Sequence, residues 1–142
     1  MAYLFDTDAI SEVLKRRPRP AYVAWLSTVP REEQYASAVT LGELYRWAFR
    51  SPHRERHMQN IDDRVLTAVS LLPYDAAVAR AYGELHAELA AANALLADAE
   101  LQIAATALHH GLTLVTGNVR HFARVRGLQI ERVLADDKPR TN

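Results

Sequence analysis

The chain has 142 residues, 49 % of them hydrophobic and 24 % charged, so we expect one globular domain over residues 1–142 with its own core. Its 17 basic side chains balance its 17 acidic ones, and the lack of cysteine excludes disulfides, thiol nucleophiles and zinc–thiolate sites. No apolar run reaches the roughly 18 residues of a membrane span, and no signal peptide opens the chain, so we expect a cytoplasmic protein without membrane contact.

Strands and helices alternate along the sequence. The predicted elements, in chain order, are a strand in YLFD, a helix in DAISEVLKRR, a helix in PAYVAWLSTV, a strand in QYASA, a helix in TLGELYRWAFR, a helix over about residues 55–69, a strand in VSLLPYD, a helix in AAVARAYGELHAELAAAN, a helix in DAELQIAATALHHG, a strand in LTLVTGN, a helical turn in VRHFARV and a strand in LQIERV. Gly111 predicts the end of the helix before it through a C-terminal glycine cap.

This alternation predicts an α/β fold with a parallel sheet covered by helices on both faces. In such sheets, ligands bind beyond the carboxyl ends of the strands. Asp6 follows the first strand and Asn118 follows the buried strand LTLV, so both side chains fall at that edge. The sequence therefore predicts a functional site there.

The stretch FDTD places two carboxylates where the first strand ends. Asp8 has a structural explanation, because aspartate is a preferred N-cap and the first helix begins there. Asp6 has no such role in the predicted elements, and an ionised carboxylate at the end of a buried strand needs a partner or a cation. We therefore interpret Asp6 as a site residue and Asp8 as a cap beside the site.

Other acids stand at predicted helix starts. Thr40 and Glu43 have the spacing of a capping box, although a residue in a first turn can also project into a site beyond the sheet. Asp98 and Glu100 open a later helix, where negative charge complements the helix dipole, and they are also candidate ligands. Each motif alone has a structural explanation.

Thr116 and Asn118 follow the strand LTLV in a sequence that is also typical of a turn. As site residues, they would offer a hydroxyl and an amide as neutral oxygen donors. Carboxylates that crowd together need raised pKa values or a cation. With oxygen donors alone, the expected ion is Mg²⁺ or Mn²⁺, and the six histidines do not suggest a soft-metal site.

Basic side chains form two clusters. One lies in the middle of the chain and one at its end: Arg46, Arg50, Arg54, Arg56 and Arg64, and then Arg120, Arg124, Arg126, Arg132, Lys138 and Arg140. Such clusters form either an electrostatic track for phosphates or solvated helix faces, and the sequence leaves both open.

Three segments resemble one known family. FDTDAISEVL, SAVTLGELYRWA and ADAELQIAATALHHGLTLVTGNVRHFARVRGLQI are similar to the PIN-domain family, specifically to the VapC-type toxins of bacterial toxin–antitoxin pairs. The resemblance runs from Leu4 to about Val133 and is most specific from Ala97 to Leu128. It implies a three-layer α/β fold with a central parallel sheet and a metal-dependent endoribonuclease.

The resemblance also implies residue roles. The first acid of the family falls on Asp6, the second on Glu43 and the third on Glu100, where aspartate is more usual. This departure leaves Asp98 as an alternative third ligand. The fourth position falls on Asn118, with Thr116 beside it. The implied reaction is hydrolysis of a phosphodiester by a water that the metal activates, leaving 5′-phosphate and 3′-hydroxyl ends.

The implied partners are RNA, a cognate VapB-like antitoxin that covers the acidic site, and a second copy of the chain in a homodimer. Four apolar side chains on the early helices are candidates for those surfaces, although core packing explains them equally well: Tyr22, Trp25, Leu26 and Trp47.

Two alternatives remain open. A catalytically silent RNA-binding or regulatory module of the same fold is compatible with Glu100 in place of aspartate. A phosphatase similar to the haloacid dehalogenases would use FDTD as its nucleophile motif and Asp136 and Asp137 as its late acidic pair. Ile10 disfavours the phosphatase, because that family has threonine or valine at the position.

Overall fold

The computed structural model describes residues 1–135, in which strands and helices alternate as the sequence predicts. The strands are β1 (Tyr3–Phe5), β2 (Gln34–Ser37), β3 (Ser70–Leu72), β4 (Thr113–Val115) and β5 (Ile130–Glu131). The α-helices are α1 (Thr7–Leu14), α2 (Pro20–Leu26), α3 (Ala38–Arg50), α4 (Arg54–Asn60), α5 (Ala76–Ala91), α6 (Asp98–His110) and α7 (Val119–Phe122).

The strands form one parallel sheet in the order β3-β2-β1-β4-β5. The central strand is β1, and Phe5 at its end pairs with Ala36 of β2 on one side and Val115 of β4 on the other. This register puts the carboxyl ends of the three strands side by side, so the residues that follow them meet at one edge.

Alternate residues of β1 face opposite sides of the sheet, because side chains along a strand alternate. Phe5 packs with Ile10 of α1 and Leu44 of α3, in the core on one face. Leu4 belongs to a second core on the other face, which α5 and α6 cover. The result is the three-layer arrangement that the sequence predicts, with β1 buried on both faces.

One predicted helix differs from the observed one. The helix expected over residues 55–69 is α4 followed by a π-helical turn over Ile61–Val65, in which the Leu66 N–H donates to the Ile61 carbonyl at 3.0 Å. Both Ile61 and Val65, the first and last residues of this turn, are buried in the core. The Gly111 cap is confirmed: its φ of 65° is left-handed, a conformation that glycine adopts without strain.

The four candidate interface residues divide between core and surface. Tyr22 is buried at 1 % exposure and donates its hydroxyl to the Ala9 carbonyl at 3.0 Å, so of its two open interpretations core packing is the one observed. Trp25 and Leu26 are half-buried against the core of the α1 face. Trp47 is half exposed, at 50 %.

No helix within residues 1–135 is both long and apolar enough to cross a lipid bilayer.

Candidate active site

Asp6 directly continues the central strand. Its backbone N–H donates to the Val115 carbonyl at 3.1 Å, which extends the pairing of β1 with β4 by one residue. Its carboxylate accepts the Ala9 N–H at 2.8 Å, so Asp6 is the N-cap of α1. The prediction that Asp8 is the cap is wrong, because α1 begins at Thr7 and leaves Asp8 exposed in the first turn.

The Asp6 carboxyl is buried, with 4 % of the residue exposed. Burial raises its pKa from an ordinary 3.8 to about 7; hydrogen bonds from the Thr116 hydroxyl and the Ala9 N–H offset this in part, while the charges of Asp8 and Glu100 add to it. A cation beside Asp6 would favour its ionised form. The surroundings of Asp6 therefore fit a positively charged ligand.

Glu100 lies in the first turn of α6, facing the loop between β4 and α7. Its carboxylate accepts the Asn118 side-chain amide at 2.9 Å and contacts Nδ1 of His121 at 3.1 Å. The same His121 nitrogen lies 2.8 Å from the Asn118 amide nitrogen. Thr116, fully buried, accepts the Asn118 backbone N–H at 2.9 Å. Hydrogen bonds thus connect Asp6 to Glu100 through Thr116 and Asn118.

Glu43 lies on the other side of Asp6, on α3. Its carboxylate accepts the Thr7 hydroxyl at 2.6 Å, and Arg46 lies 3.8 Å away. The predicted capping box is wrong: α3 begins at Ala38, where β2 ends, and its cap is the Ser37 hydroxyl, which accepts the Val39 N–H at 3.0 Å. Glu43 is therefore in the second turn and free of a capping role.

Asp98 has a different neighbour. Its carboxylate accepts the Tyr82 hydroxyl of α5 at 2.8 Å, and it is not among the groups that shift the pKa of Asp6. The structure thus connects Glu100, rather than Asp98, to Asp6.

The sequence predicted a carboxylate cluster that is ready to hold an ion, and the structure differs in this respect. Within residues 1–135, no three histidine, aspartate or glutamate side chains are grouped closely enough to form a metal site. Thr7 holds Glu43, while Asn118 and His121 hold Glu100. Of these two acids, Glu100 is close enough to Asp6 for their charges to interact, whereas Glu43 is connected to this region through Thr7, and each has a separate hydrogen-bond partner.

Sequence reasoning missed Thr7 and His121. Thr7 was visible between the two aspartates of FDTD, where a helix-start hydroxyl can reach a neighbouring acid. His121 follows Asn118 by three residues, which is the spacing of neighbours on one helical turn. Asp136, Asp137, Lys138 and Arg140, named in the sequence as a phosphatase motif and as basic residues, lie outside the described residues.

The chain is similar to several known proteins. The family model described as PIN domain matches residues 3–128. Ribonuclease VapC2 of Haemophilus influenzae is 35 % identical over 136 residues, covering 92 % of this chain and 97 % of the relative. The tRNA(fMet)-specific endonuclease VapC of Shigella flexneri is 34 % identical over 131 residues, covering 92 % of this chain and 97 % of the relative. A solved structure, DNA-bound VapBC from Salmonella typhimurium, matches with a TM-score of 0.85 and 27 % identity over 92 % of this chain and 97 % of that one.

Proposed function

The chain belongs to the PIN-domain family, and from that premise we propose that it is a metal-dependent endoribonuclease, the toxin of a VapBC-type pair. The observation that carries the proposal is the position of Asp6: a buried carboxylate at the end of the central strand, hydrogen-bonded to Thr116 and close enough to Glu100 for their charges to interact. Relatives named as a ribonuclease and a tRNA endonuclease support RNA as the substrate.

The oxygen chemistry of these acids fits a hard divalent cation, although within residues 1–135 Glu43 and Glu100 are hydrogen-bonded to Thr7, Asn118 and His121 and do not close a metal site around Asp6. Asp6, Glu100 and Glu43 would hold it through carboxylate oxygens, which Mg²⁺ and Mn²⁺ prefer, and Asp98 is the alternative to Glu100. When bound, such a cation lowers the pKa of a water and offsets negative charge on a phosphodiester. Glu100 is favoured over Asp98, because the Tyr82 hydroxyl already engages Asp98.

The protein's own residues orient these acids. The Ala9 N–H and the Thr116 hydroxyl fix the Asp6 carboxylate. Asn118 and His121 fix Glu100, and such hydrogen bonds to ligand side chains typically set affinity for a metal. Nearby arginines would position the RNA backbone without reading its sequence.

The partner that we propose is a VapB-like antitoxin, supported by the similarity to a VapBC complex. A homodimer is the proposed assembly, because dimers are the commonest symmetric oligomers and the family resemblance implies one. Half-exposed Trp47 is the one of the four sequence candidates that stands clearly on the surface.

The test is cleavage of total RNA by the purified chain with Mg²⁺, with Mn²⁺ and with excess EDTA, with Asp6→Asn beside it. We expect the parent chain to produce discrete RNA fragments only when the metal is present, and we expect Asp6→Asn to produce none. A thermal shift gives an independent result, because a cation that binds the folded state raises Tm. Mg²⁺ or Mn²⁺ should raise the Tm of the parent and not that of Asp6→Asn; equal shifts would place the ion elsewhere.

The second candidate is a silent RNA-binding module of the same fold. Glu100, where the family usually has aspartate, favours it. Such a module would bind RNA but would not cleave it, whichever metal ion is added. Glu100→Asp would then be the first variant to test for cleavage. The phosphatase alternative is removed by membership in the PIN-domain family.

A further inference from the structure

A groove begins at Glu43 and runs away from the acidic edge, between α1, α3 and α4. We call it the aromatic groove. Its first part, of about 490 Å³, includes Thr7, Glu43 and Trp47 in its walls. The adjoining part shares Leu14, Lys15, Trp47 and His57 with the first. The groove is therefore continuous from a proposed catalytic carboxylate to a half-exposed tryptophan.

The walls of the aromatic groove are strongly basic. Five cationic side chains line it, against a single carboxylate, Glu43: Lys15, Arg16, Arg46, Arg56 and Arg64. Of these, Lys15 pairs with Glu12 at 2.7 Å, and Arg64 donates to the Val13 carbonyl at 2.6 Å. Arg46 pairs with Glu43 at 3.8 Å. Carboxylates thus offset the charges of Lys15 and Arg46, and the other three cations leave the groove with an excess of positive charge. The excess suits a polyanion.

Two rings are in contact inside the groove, with their planes tilted by 41°. The ring centroids of Trp47 and His57 are 4.0 Å apart, and Trp47 remains 50 % exposed. Burial, and then the charges of Arg56 and His53, lower the pKa of His57. His57 contacts the Trp47 ring, and the exposed half of Trp47 remains accessible to a ligand.

The position of Trp47 relates it to the acidic edge. It follows Glu43 by four residues on α3, so the two side chains are neighbours on one face, with Cβ atoms about 5–6 Å apart. A group that stacks on Trp47 therefore lies beside whatever Glu43 contacts.

We propose that the aromatic groove holds single-stranded RNA next to the bond that is cut, with one unpaired base stacked on Trp47. This deepens the proposed function and rests on it. A base offers its face to an aromatic ring only when it is free of a duplex stack, so the groove selects loops and single-stranded segments. Cations that follow the phosphates and a ring that accepts a base are the combination found in single-strand binding sites.

Binding is measured first, by anisotropy in EDTA so that cleavage does not interfere. The probes are fluorescein-labelled oligoadenylate and an abasic oligonucleotide of the same length. Trp47→Ala should weaken oligoadenylate binding about tenfold and leave the binding of the abasic strand unchanged, because only oligoadenylate has bases to stack. Arg56→Gln should weaken both, by removing a phosphate contact.

Phe49→Ala is the matched control. Phe49 is on the same helix and equally exposed at 50 %, but it does not line the aromatic groove. The Phe49→Ala variant should bind both probes with the affinity of the parent. The stacking proposal is wrong if Phe49→Ala and Trp47→Ala lose the same affinity for oligoadenylate. It is also wrong if Trp47→Ala loses affinity for oligoadenylate and for the abasic strand equally.

Fluorescence tests the intact groove without removing Trp47. In a Trp25→Phe chain, Trp47 is the remaining tryptophan, and oligoadenylate should quench its emission while the abasic strand should not. Lack of quenching on a chain that binds oligoadenylate contradicts stacking. If RNA leaves Trp47 unquenched but Trp47→Ala weakens capture of the antitoxin, the groove binds protein and the proposal fails.

Cleavage separates this proposal from the nuclease itself. With Mg²⁺, Trp47→Ala should lower kcat/KM about tenfold for a single-stranded substrate, and Trp47→Phe should restore most of it. If the parent chain cuts RNA and Trp47→Ala cuts it equally well, the nuclease proposal holds and the stacking proposal is wrong. If the parent chain never cuts RNA but oligoadenylate quenches the emission of Trp47, the stacking proposal holds and the nuclease proposal is wrong.

Discussion

Two carboxylates at opposite ends of α1 are equally shielded from solvent, with 4 % of Asp6 and 4 % of Glu12 exposed, but Asp6 lies deeper in the fold and their surroundings differ in charge. Glu12 contacts Lys15 at 2.7 Å and accepts the Arg19 backbone N–H at 2.9 Å. Asp6 accepts hydrogen bonds from Thr116 and the Ala9 N–H, both neutral.

The pKa values follow this difference. Burial raises the pKa of both carboxyls, but in Glu12 the hydrogen bonds and positive charges of Lys15 and Arg19 outweigh burial and lower it. In Asp6 burial dominates, and the pKa rises to about 7. Low solvent exposure alone therefore does not identify a functional acid. A buried carboxylate that is paired with basic side chains of the same protein contributes to folding stability. A buried carboxylate surrounded by neutral donors and other acids is instead suited to bind a cation from outside the protein.

The largest expected effect is on cleavage. Asp6→Asn should lower the rate by roughly a thousandfold or more, because several kcal/mol of transition-state stabilisation depend on the charge that it removes. Asp75→Asn is the matched control, since Asp75 caps α5 through the Val78 N–H at 3.0 Å as Asp6 caps α1. Parent-like cleavage by Asp6→Asn would contradict the assignment of the site.

The same variant should make the metal-free protein more stable. The pKa of Asp6 is higher in the folded chain than its ordinary 3.8, so folding stability falls as the pH rises between that value and about 7. Asp6→Asn removes this loss, and at about pH 8 its free energy of unfolding should exceed that of the parent by up to about 4 kcal/mol.

Urea unfolding in EDTA across the pH range measures this difference. The gain of Asp6→Asn should shrink as the pH falls below about 7, because the Asp6 carboxyl then becomes protonated in the folded parent. A gain that stays constant with pH would show that the carboxylate charge is not its cause.

A second pair of acids sharpens the comparison. Glu100→Gln should lower cleavage about a hundredfold, because Glu100 interacts with Asp6 and its oxygens face Asn118 and His121. Asp98→Asn should change it less than about threefold. Initial rates on one RNA under identical metal concentrations measure both. The reverse order would assign the third ligand to Asp98.

Glu12 should respond in the opposite sense to Asp6. Glu12→Gln should lower the free energy of unfolding by about 2 kcal/mol at neutral pH, because Lys15 loses its buried charged partner. Since the pKa of Glu12 is lowered in the fold, this difference should disappear as the pH falls through that lowered value. Glu84→Gln, in an exposed pair with Arg80 at 3.6 Å, should cost almost nothing.

The smallest expected effect concerns His121. His121→Ala should lower cleavage about tenfold by releasing Glu100, and a higher Mg²⁺ concentration should restore part of the rate if the loss is one of metal affinity. His110→Ala, at the exposed end of α6, should match the parent. Equal losses in the two variants would exclude a positioning role for His121.

The sequence was sufficient for the architecture, because periodicity and caps are local. Alternating strands and helices predicted the parallel sheet, and Gly111 marked the end of α6. The errors arose at junctions that are one to three residues long. Asp6 and Asp8 are both suitable caps in isolation, and only the tertiary pairing of Asp6 with Val115 decides that α1 begins between them.

The site could be predicted only in part for a similar reason. Strand ends and helix starts located Asp6, Glu43, Glu100 and Asn118 at one edge of the sheet, but spacing does not specify which way a side chain turns. Asp98 and Glu100 share the first turn of α6, and their separation depends on Tyr82 on one side and Asn118 on the other. Those neighbours are distant in sequence.

The hydrogen bond from Asp6 to Val115 has a consequence for how the protein is controlled. It lies in the middle of the sheet, between two cores, so its amide should exchange with solvent only when the whole domain opens. The backbone that carries the acid is thus held in place whenever the chain is folded. We therefore expect control of the site to come from a group that covers it rather than from movement of β1.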